Sequence, residues 1–214
     1  DRIEMTSLPG VILAGGLSRR MGGGDKGLLN LGSKTILGRV IDKIEPQVST
    51  LAININGDHS RFSKYPYSLI ADSIDGFAGP LAGVLAGMDW AFKNNFQAII
   101  TLAADTPFLP EDLVEKLSVF AKRKNSEITM ASARNPITGE VRVHPTFGLW
   151  NVNLREDLRK ELLAGTRKII RWAERHELSY VEFKTEKPGE DPFFNINTPQ
   201  DLIDAEDKLS NGLK

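Results

Sequence analysis

Short, continuous apolar runs recur along this chain, separated by stretches with helical spacing, and that alternation leaves few folds open. Residues 10–14 (Gly-Val-Ile-Leu-Ala) and 98–103 (Ala-Ile-Ile-Thr-Leu-Ala) have the length and composition of strands buried on both faces. Residues 50–54, 68–71 and 127–131 read as further strands. Between them, Ile36, Leu37, Val40, Ile41 and Ile44 fall on one face of a helix over 35–45, which Pro46 stops. Residues 80–92 and 111–124 also read as helices, with Gly83 and Gly87 spaced for close packing in the first. The alternation predicts an α/β fold: three layers, with a doubly wound, mostly parallel sheet between helices. The last third departs from it. A strand over 145–150, helical stretches over 151–163 and 167–175, a strand over 178–183 and a closing helix over 199–209 extend the same sheet. Residues 134–143, with Asn135-Pro136 and Thr138-Gly139, read as a polar loop. With 214 residues and no linker-like tract, the expectation is a single domain over 1–214.

Composition excludes several classes. Bases and acids nearly balance at 27 and 28, which argues against general nucleic-acid binding. No apolar run approaches the ~18–20 residues a bilayer span needs, so no membrane role is expected. Cysteine is absent, so there are no disulfides, thiolate metal sites or cysteine nucleophiles. A cytoplasmic location fits that composition. His59, His144 and His176 sit in scattered contexts, so a histidine metal cluster is not expected. Trp90, Trp150 and Trp172 read as core or edge residues.

Glycine is unevenly spread. Gly10, Gly15, Gly16, Gly22, Gly23, Gly24 and Gly27 crowd the first strand and the dozen or so residues after it. Glycines let backbone N–H groups turn toward an anion, and Arg19, Arg20 and Lys26 add positive charge in the same stretch. A strand, a glycine loop and cations together suit polyphosphate at a strand's carboxyl end. Two look-alikes fail. Gly22–Gly27 matches G-x-G-x-x-G but begins several residues after the strand, so it is no dinucleotide fingerprint. Residues 27–35 resemble a phosphate-binding P-loop, but Ser33 separates Gly32 from Lys34, and Leu28, Leu29 and Leu31 give strand character. Lys34 reads as an ordinary turn residue.

Asp105 stands just beyond the 98–103 strand, where a carboxylate can reach a ligand crevice and hold Mg²⁺ beside phosphate. The plainer alternative is a cap before Pro107. Asn54 and Asp72 end the second and third strands and could face the same crevice, although both residue types also start turns. Gly79, Pro80 and Leu81 either let a backbone approach a flat ligand or only begin a helix. Asn195 and Asn197 precede the last helix, where Asn197 or Thr198 could serve as its N-cap. His144, before Pro145, is a candidate substrate contact.

These residues resemble the molybdenum cofactor guanylyltransferase (MobA) family of the nucleotidyltransferase superfamily. The pattern LAGG-x-S-x-RMG with a following DK spans residues 13–26. Asn54, Asp72, GPLAG at 79–83, Asp105-Thr106-Pro107, His144-Pro145 and NINTP at 195–199 come after it in order, so the resemblance covers nearly the whole chain. One departure is that two glycines, Gly23 and Gly24, separate RMG from DK, where many superfamily members have one residue. The resemblance implies a Rossmann-like nucleotide-diphospho-sugar transferase fold, with a nucleotide-binding half over residues 8–130 and an acceptor half over 131–214. It implies transfer of GMP from GTP to the terminal phosphate of molybdopterin or molybdenum cofactor, with Mg²⁺ as cofactor and pyrophosphate released. Leu13, Ala14, Gly15 and Gly16 would contact the nucleotide, with Asn54, Asp72, Gly79, Pro80 and Leu81. Lys26 would bind phosphates, Arg19 would clamp them, and Asp105 would hold the metal. His144, Asn195 and Asn197 would serve the pterin side or a second metal contact. Other cofactor-biosynthesis or delivery proteins are implied as partners. Two alternatives stay open: transfer of cytidylyl or another nucleotide to a related acceptor, and a non-catalytic cofactor-delivery protein.

Overall fold

A computed structural model describes residues 8–15, 25–76, 79–185 and 190–212 of the chain. The elements in order are β1 (Gly10–Leu13), β2 (Asn30–Leu31), β3 (Lys34–Thr35), α1 (Ile36–Ile44), β4 (Leu51–Asn54), β5 (Ser68–Ile70), α2 (Pro80–Lys93) and β6 (Ala98–Ala103). Next come α3 (Leu113–Lys124), β7 (Ile128–Arg134), β8 (Val141–Asn151), α4 (Arg155–Leu163), α5 (Ile169–Ala173), β9 (Leu178–Phe183) and α6 (Pro199–Ser210). Seven strands form one sheet in the order β5-β4-β1-β6-β8-β7-β9, and β2 pairs with β3 in a small hairpin. β5, β4, β1 and β6 run parallel, as do β7 and β9, while β8 is antiparallel to both its neighbours.

Successive residues of each strand feed opposite layers, the two-residue period of an extended chain. Ile12, Ile100 and Leu149 join α1 and α3 in one core. Their neighbours Val11, Ile99 and Trp150 join α2, α4 and α5 in the other. This is why the strands read as unbroken apolar runs. Trp150 and Trp172 are fully buried, as expected of core residues. Trp150 Nε1 donates to the equally buried Thr101 Oγ1 at 2.7 Å, which satisfies both polar groups. A third cluster of Leu31, Ile36, Ile196 and Ala205 docks α6 and the segment before it against the β2–β3 hairpin.

The structure corrects two expectations. The polar loop shrinks to residues 135–140, because the β7–β8 ladder runs out to Arg134 opposite Val141. Asn135 Oδ1 accepts the N–H groups of Ile137 and Thr138, and Gly139 has a positive φ of 74°, so a compact turn suffices. Pro145 lies inside β8 instead of starting it, since the register shifts between Met130 and Ala131 and a residue with no N–H is tolerated at such an irregularity. Near the hairpin, Lys26–Leu28 form a 3-10 turn and strand character begins only at Asn30. Lys34 belongs to β3 and is ion-paired with Asp42.

Candidate functional site

β1 ends between two partners. Leu13 is opposite Asn54 of β4 on one side and Ala103 of β6 on the other. Beyond the ladder, Ala14 N–H donates to the Asn54 carbonyl and Ala104 N–H to the Leu13 carbonyl, both keeping the strand ends in register. Every side chain leaving these strand ends therefore emerges at the carboxyl edge of the parallel sheet. Two polar clusters form there.

The first gathers residues far apart in sequence. Lys26 Nζ lies 2.7 Å from Asp105 Oδ2 and 2.7 Å from Asn197 Oδ1, with Lys26 and Asp105 both half-buried. The segment carrying Asn197 is laid beside Asp105 by a backbone bond, Ile196 N–H to the Asp105 carbonyl at 3.0 Å. Ile196 is fully buried, which presses Asn195 and Asn197 outward on the alternating pattern. Thr106 Oγ1 donates to Asn195 Oδ1 at 2.6 Å. Thr198, not Asn197, is the helix cap: it forms a capping box with Asp201 at the start of α6. Burial works to raise the Asp201 carboxyl, but the Asn197 and Thr198 N–H bonds, the Thr198 hydroxyl and the Lys26 charge outweigh it and hold it low. Asp25, beside Lys26, is ion-paired with Arg61, whose Nε and Nη2 also donate to the Asp58 and Asn56 carbonyls.

The second cluster closes over β4 and β5. Asn54 Nδ2 donates to Asp72 Oδ1 at 2.9 Å, and Asn56 Nδ2 donates to Asp72 Oδ2 at 2.9 Å. Asn56 was not singled out from the sequence; its N-x-N relation to Asn54 is the only signal that could have found it. Helix α2 forms the roof. A Cβ on Gly83 would overlap Asn54 Oδ1 and lie 2.9 Å from Leu13 Cδ2, so only glycine lets the helix sit this close. At Gly87 a Cβ would be tight, 3.0 Å from side-chain carbons of Val11 and Ile99. Gly79 enters the helix at φ 136°, a conformation L side chains rarely adopt, with Pro80 in the first turn and Leu81 buried beneath. Ser73 Oγ, next to Asp72, donates to Asp89 on α2 at 2.6 Å and ties the loop to that roof.

The structure thus brings Lys26, Asp105 and Asn197 together, and separately Asn54 and Asp72, with Leu13, Ala14 and Gly15 between the groups. Asn195 supports Thr106. The His144 ring stacks on Phe193, two residues before Asn195, at 4.4 Å, and burial, with Arg142 adding and Asp191 opposing, lowers its pKa. Gly16, Arg19 and Arg20 lie outside the described residues. Among those described, no group of three or more His, Cys, Asp or Glu side chains could hold a metal. The donor set nonetheless fits a hard cation. Two oxygens, from Asp105 and Asn197, already converge on one positive charge, and Mg²⁺ commonly takes one or two protein carboxylates with phosphate oxygens.

The chain is similar to known proteins in both sequence and structure. Residues 10–179 match the family model of the MobA-like NTP transferase domain. The chain is 45% identical over 201 residues to a molybdenum cofactor guanylyltransferase of Mesorhizobium japonicum, covering 92% of this chain and 94% of that one. It is 46% identical to the protein of that name from Rhodopseudomonas palustris, covering 92% and 90%. Among solved structures, molybdopterin-guanine dinucleotide biosynthesis protein A from Archaeoglobus fulgidus superposes with a TM-score of 0.74 at 25% identity, covering 95% of this chain and all of that one. A 4-diphosphocytidyl-2C-methyl-D-erythritol synthase from Anaerococcus prevotii shares the fold, with a TM-score of 0.71 at 16% identity.

Proposed function

The chain belongs to the MobA-like NTP transferase domain family, and from that membership we propose how its two clusters perform a guanylyl transfer. The protein is a nucleotidyltransferase that moves GMP onto the terminal phosphate of molybdopterin or molybdenum cofactor, the activity its relatives' names carry over more than nine-tenths of the chain. The observation that carries the site assignment is the convergence of Lys26, Asp105 and Asn197 at the carboxyl end of the sheet.

GTP lies across the end of β1, against the Leu13–Gly15 backbone, with Asn54 and Asp72 on its nucleoside side and Gly79, Pro80 and Leu81 at the roof. Lys26 presents its ammonium to the phosphates. Asp105, with Asn197 beside it, would hold Mg²⁺, which would neutralise charge on the phosphate oxygens. An oxygen of the acceptor phosphate attacks the α-phosphorus, the bond to the bridging β-phosphate oxygen breaks, and pyrophosphate leaves. The nucleophile is already an anion near neutral pH, so no general base is needed, and positioning and electrostatics lower the barrier. Arg19 clamps the phosphates from the glycine loop. Asn195 shapes the acceptor side through Thr106, and His144 flanks it. No helix among the described residues is long and apolar enough to cross a membrane, and a GTP-consuming step fits the cytoplasm.

Pyrophosphate release measured with molybdopterin and each of the four nucleoside triphosphates tests the reading. GTP is expected to be used well ahead of the others. Preference for CTP would overturn the guanylyl assignment, and no release with any nucleotide would favour a cofactor-delivery protein.

A further inference from the structure

Asn56 is exposed, two residues beyond the end of β4, yet both ends of its amide are committed to one neighbour. Its Nδ2 donates to Asp72 Oδ2 at 2.9 Å, and its Oδ1 accepts the Asp72 backbone N–H at 3.0 Å. Asn54 Nδ2 takes the other carboxylate oxygen at 2.9 Å while also reaching the Ile70 carbonyl at 3.2 Å. Asp72 is therefore gripped at three points by two asparagines on one strand end, and its carboxylate plane cannot rotate without breaking a bond. An exposed asparagine that served only as a turn residue would bond its own backbone nearby. Asn56 instead reaches across 16 positions to Asp72.

The surroundings say what this grip is for. The Asn56 Nδ2 lies 3.1 Å and the Asn54 Oδ1 3.3 Å from where a Cβ would stand on Gly15. Both amides therefore border the end of β1, where the proposed site lies. The Asn56 carbonyl also accepts from Arg61, which is ion-paired with Asp25 next to Lys26. One residue thus joins the Asp72 wall of the cleft to the segment that delivers Lys26. A carboxylate held by amides on both oxygens keeps its remaining lone pairs in a fixed direction, so a donor on the ligand meets an acceptor already oriented.

We propose that Asn56 is a positioning residue for GTP binding, acting through Asp72 by fixing the carboxylate's orientation. The inference rests on the nucleotidyltransferase reading of this site. It predicts a binding defect with a signature that a general packing role lacks. Asn56→Ala is expected to raise the KM and Kd for GTP on the order of tenfold, the effect of one or two lost charge-assisted hydrogen bonds, with a much smaller fall in kcat. In the Asp72→Asn background the same substitution is expected to add little, because the group it orients no longer bears the charge. Titration calorimetry with Mg²⁺-GTP, beside steady-state rates with molybdopterin, reads both quantities. Equal GTP Kd for wild type and Asn56→Ala, or full multiplication of the two effects in the double variant, would overturn the inference while leaving the function standing. A wild-type protein that neither binds nor transfers GTP would overturn both.

Discussion

Lys26 stands between two oxygens in a half-buried setting, a geometry in which charge-assisted bonds are short and strong. Removing the ammonium leaves Asp105 facing the triphosphate without its counter-charge. Lys26→Ala is expected to lower kcat on the order of 10²–10³-fold, comparable to losing one strong electrostatic stabiliser of a transition state. The rate constant at saturating GTP checks this. Asp105→Ala is expected to abolish turnover while the circular dichroism spectrum stays native, because the residue lies beyond β6 and outside the apolar core. Near-normal turnover would remove the metal role. Both residues were legible in the sequence: Asp105 stands just beyond a buried apolar strand, and Lys26 adds charge to the glycine-rich stretch that comes after another. Asn197 was legible from its neighbours only as a residue before a helix, and from the NINTP resemblance as a candidate for the pterin side or a second metal contact. Its partner Lys26 lies 171 positions away, and nothing local announces that pairing.

At the scale of the elements, helix α2 carries the tightest constraint. Gly83→Ala would drive a methyl group into Asn54 and Leu13, and should cost about 1–3 kcal/mol of stability as an overpacked contact. It should weaken GTP binding too, because Asn54 cannot give way without releasing Asp72. Chemical denaturation and nucleotide titration on the same variant measure the two effects. Helix α6 depends on its cap. Asp201 is held below its ordinary range in the folded state, so its contribution is present above the unfolded carboxylate range near ~4 and is lost as pH falls through the lower folded value. Protection of the α6 amides against hydrogen exchange, relative to their intrinsic rates, should therefore fall below about pH 4, and Asp201→Asn should remove that dependence. Helix α1 was readable from apolar spacing, α2 and α3 as stretches begun at or after prolines, and β6 and β9 to the residue. The β7–β8 hairpin was not. Its outer rungs pair Arg134 with Val141 and Ala133 with Arg142 at the surface, so no apolar alternation marks them, and the strand continues because the ladder satisfies its backbone groups.

At the scale of the whole molecule, the amino-terminal and carboxyl-terminal halves share one sheet and one pair of cores. β8, from the second half, lies between β6 and β7, and Trp150 bonds Thr101 across that junction. The chain is expected to unfold in a single transition, with fluorescence and circular dichroism midpoints coinciding. Two separated transitions would show that the halves are independent domains. Trp150→Phe should lower the midpoint without splitting it, since it leaves the Thr101 hydroxyl buried and unpaired at a cost of about 1–3 kcal/mol.

By itself the amino-acid sequence determined the layered α/β plan, the end of β1 as the place for a ligand, and the residue types at it. These come from local periodicity and from glycine and charge placed beside a strand. Only the tertiary structure decided which of those residues meet. It set Asn197 on Lys26, Thr106 on Asn195, Asn56 on Asp72 and His144 on Phe193. The reason is physical. Strand order and helix docking are settled by burial of the two cores, and long-range polar partners are a consequence of that packing.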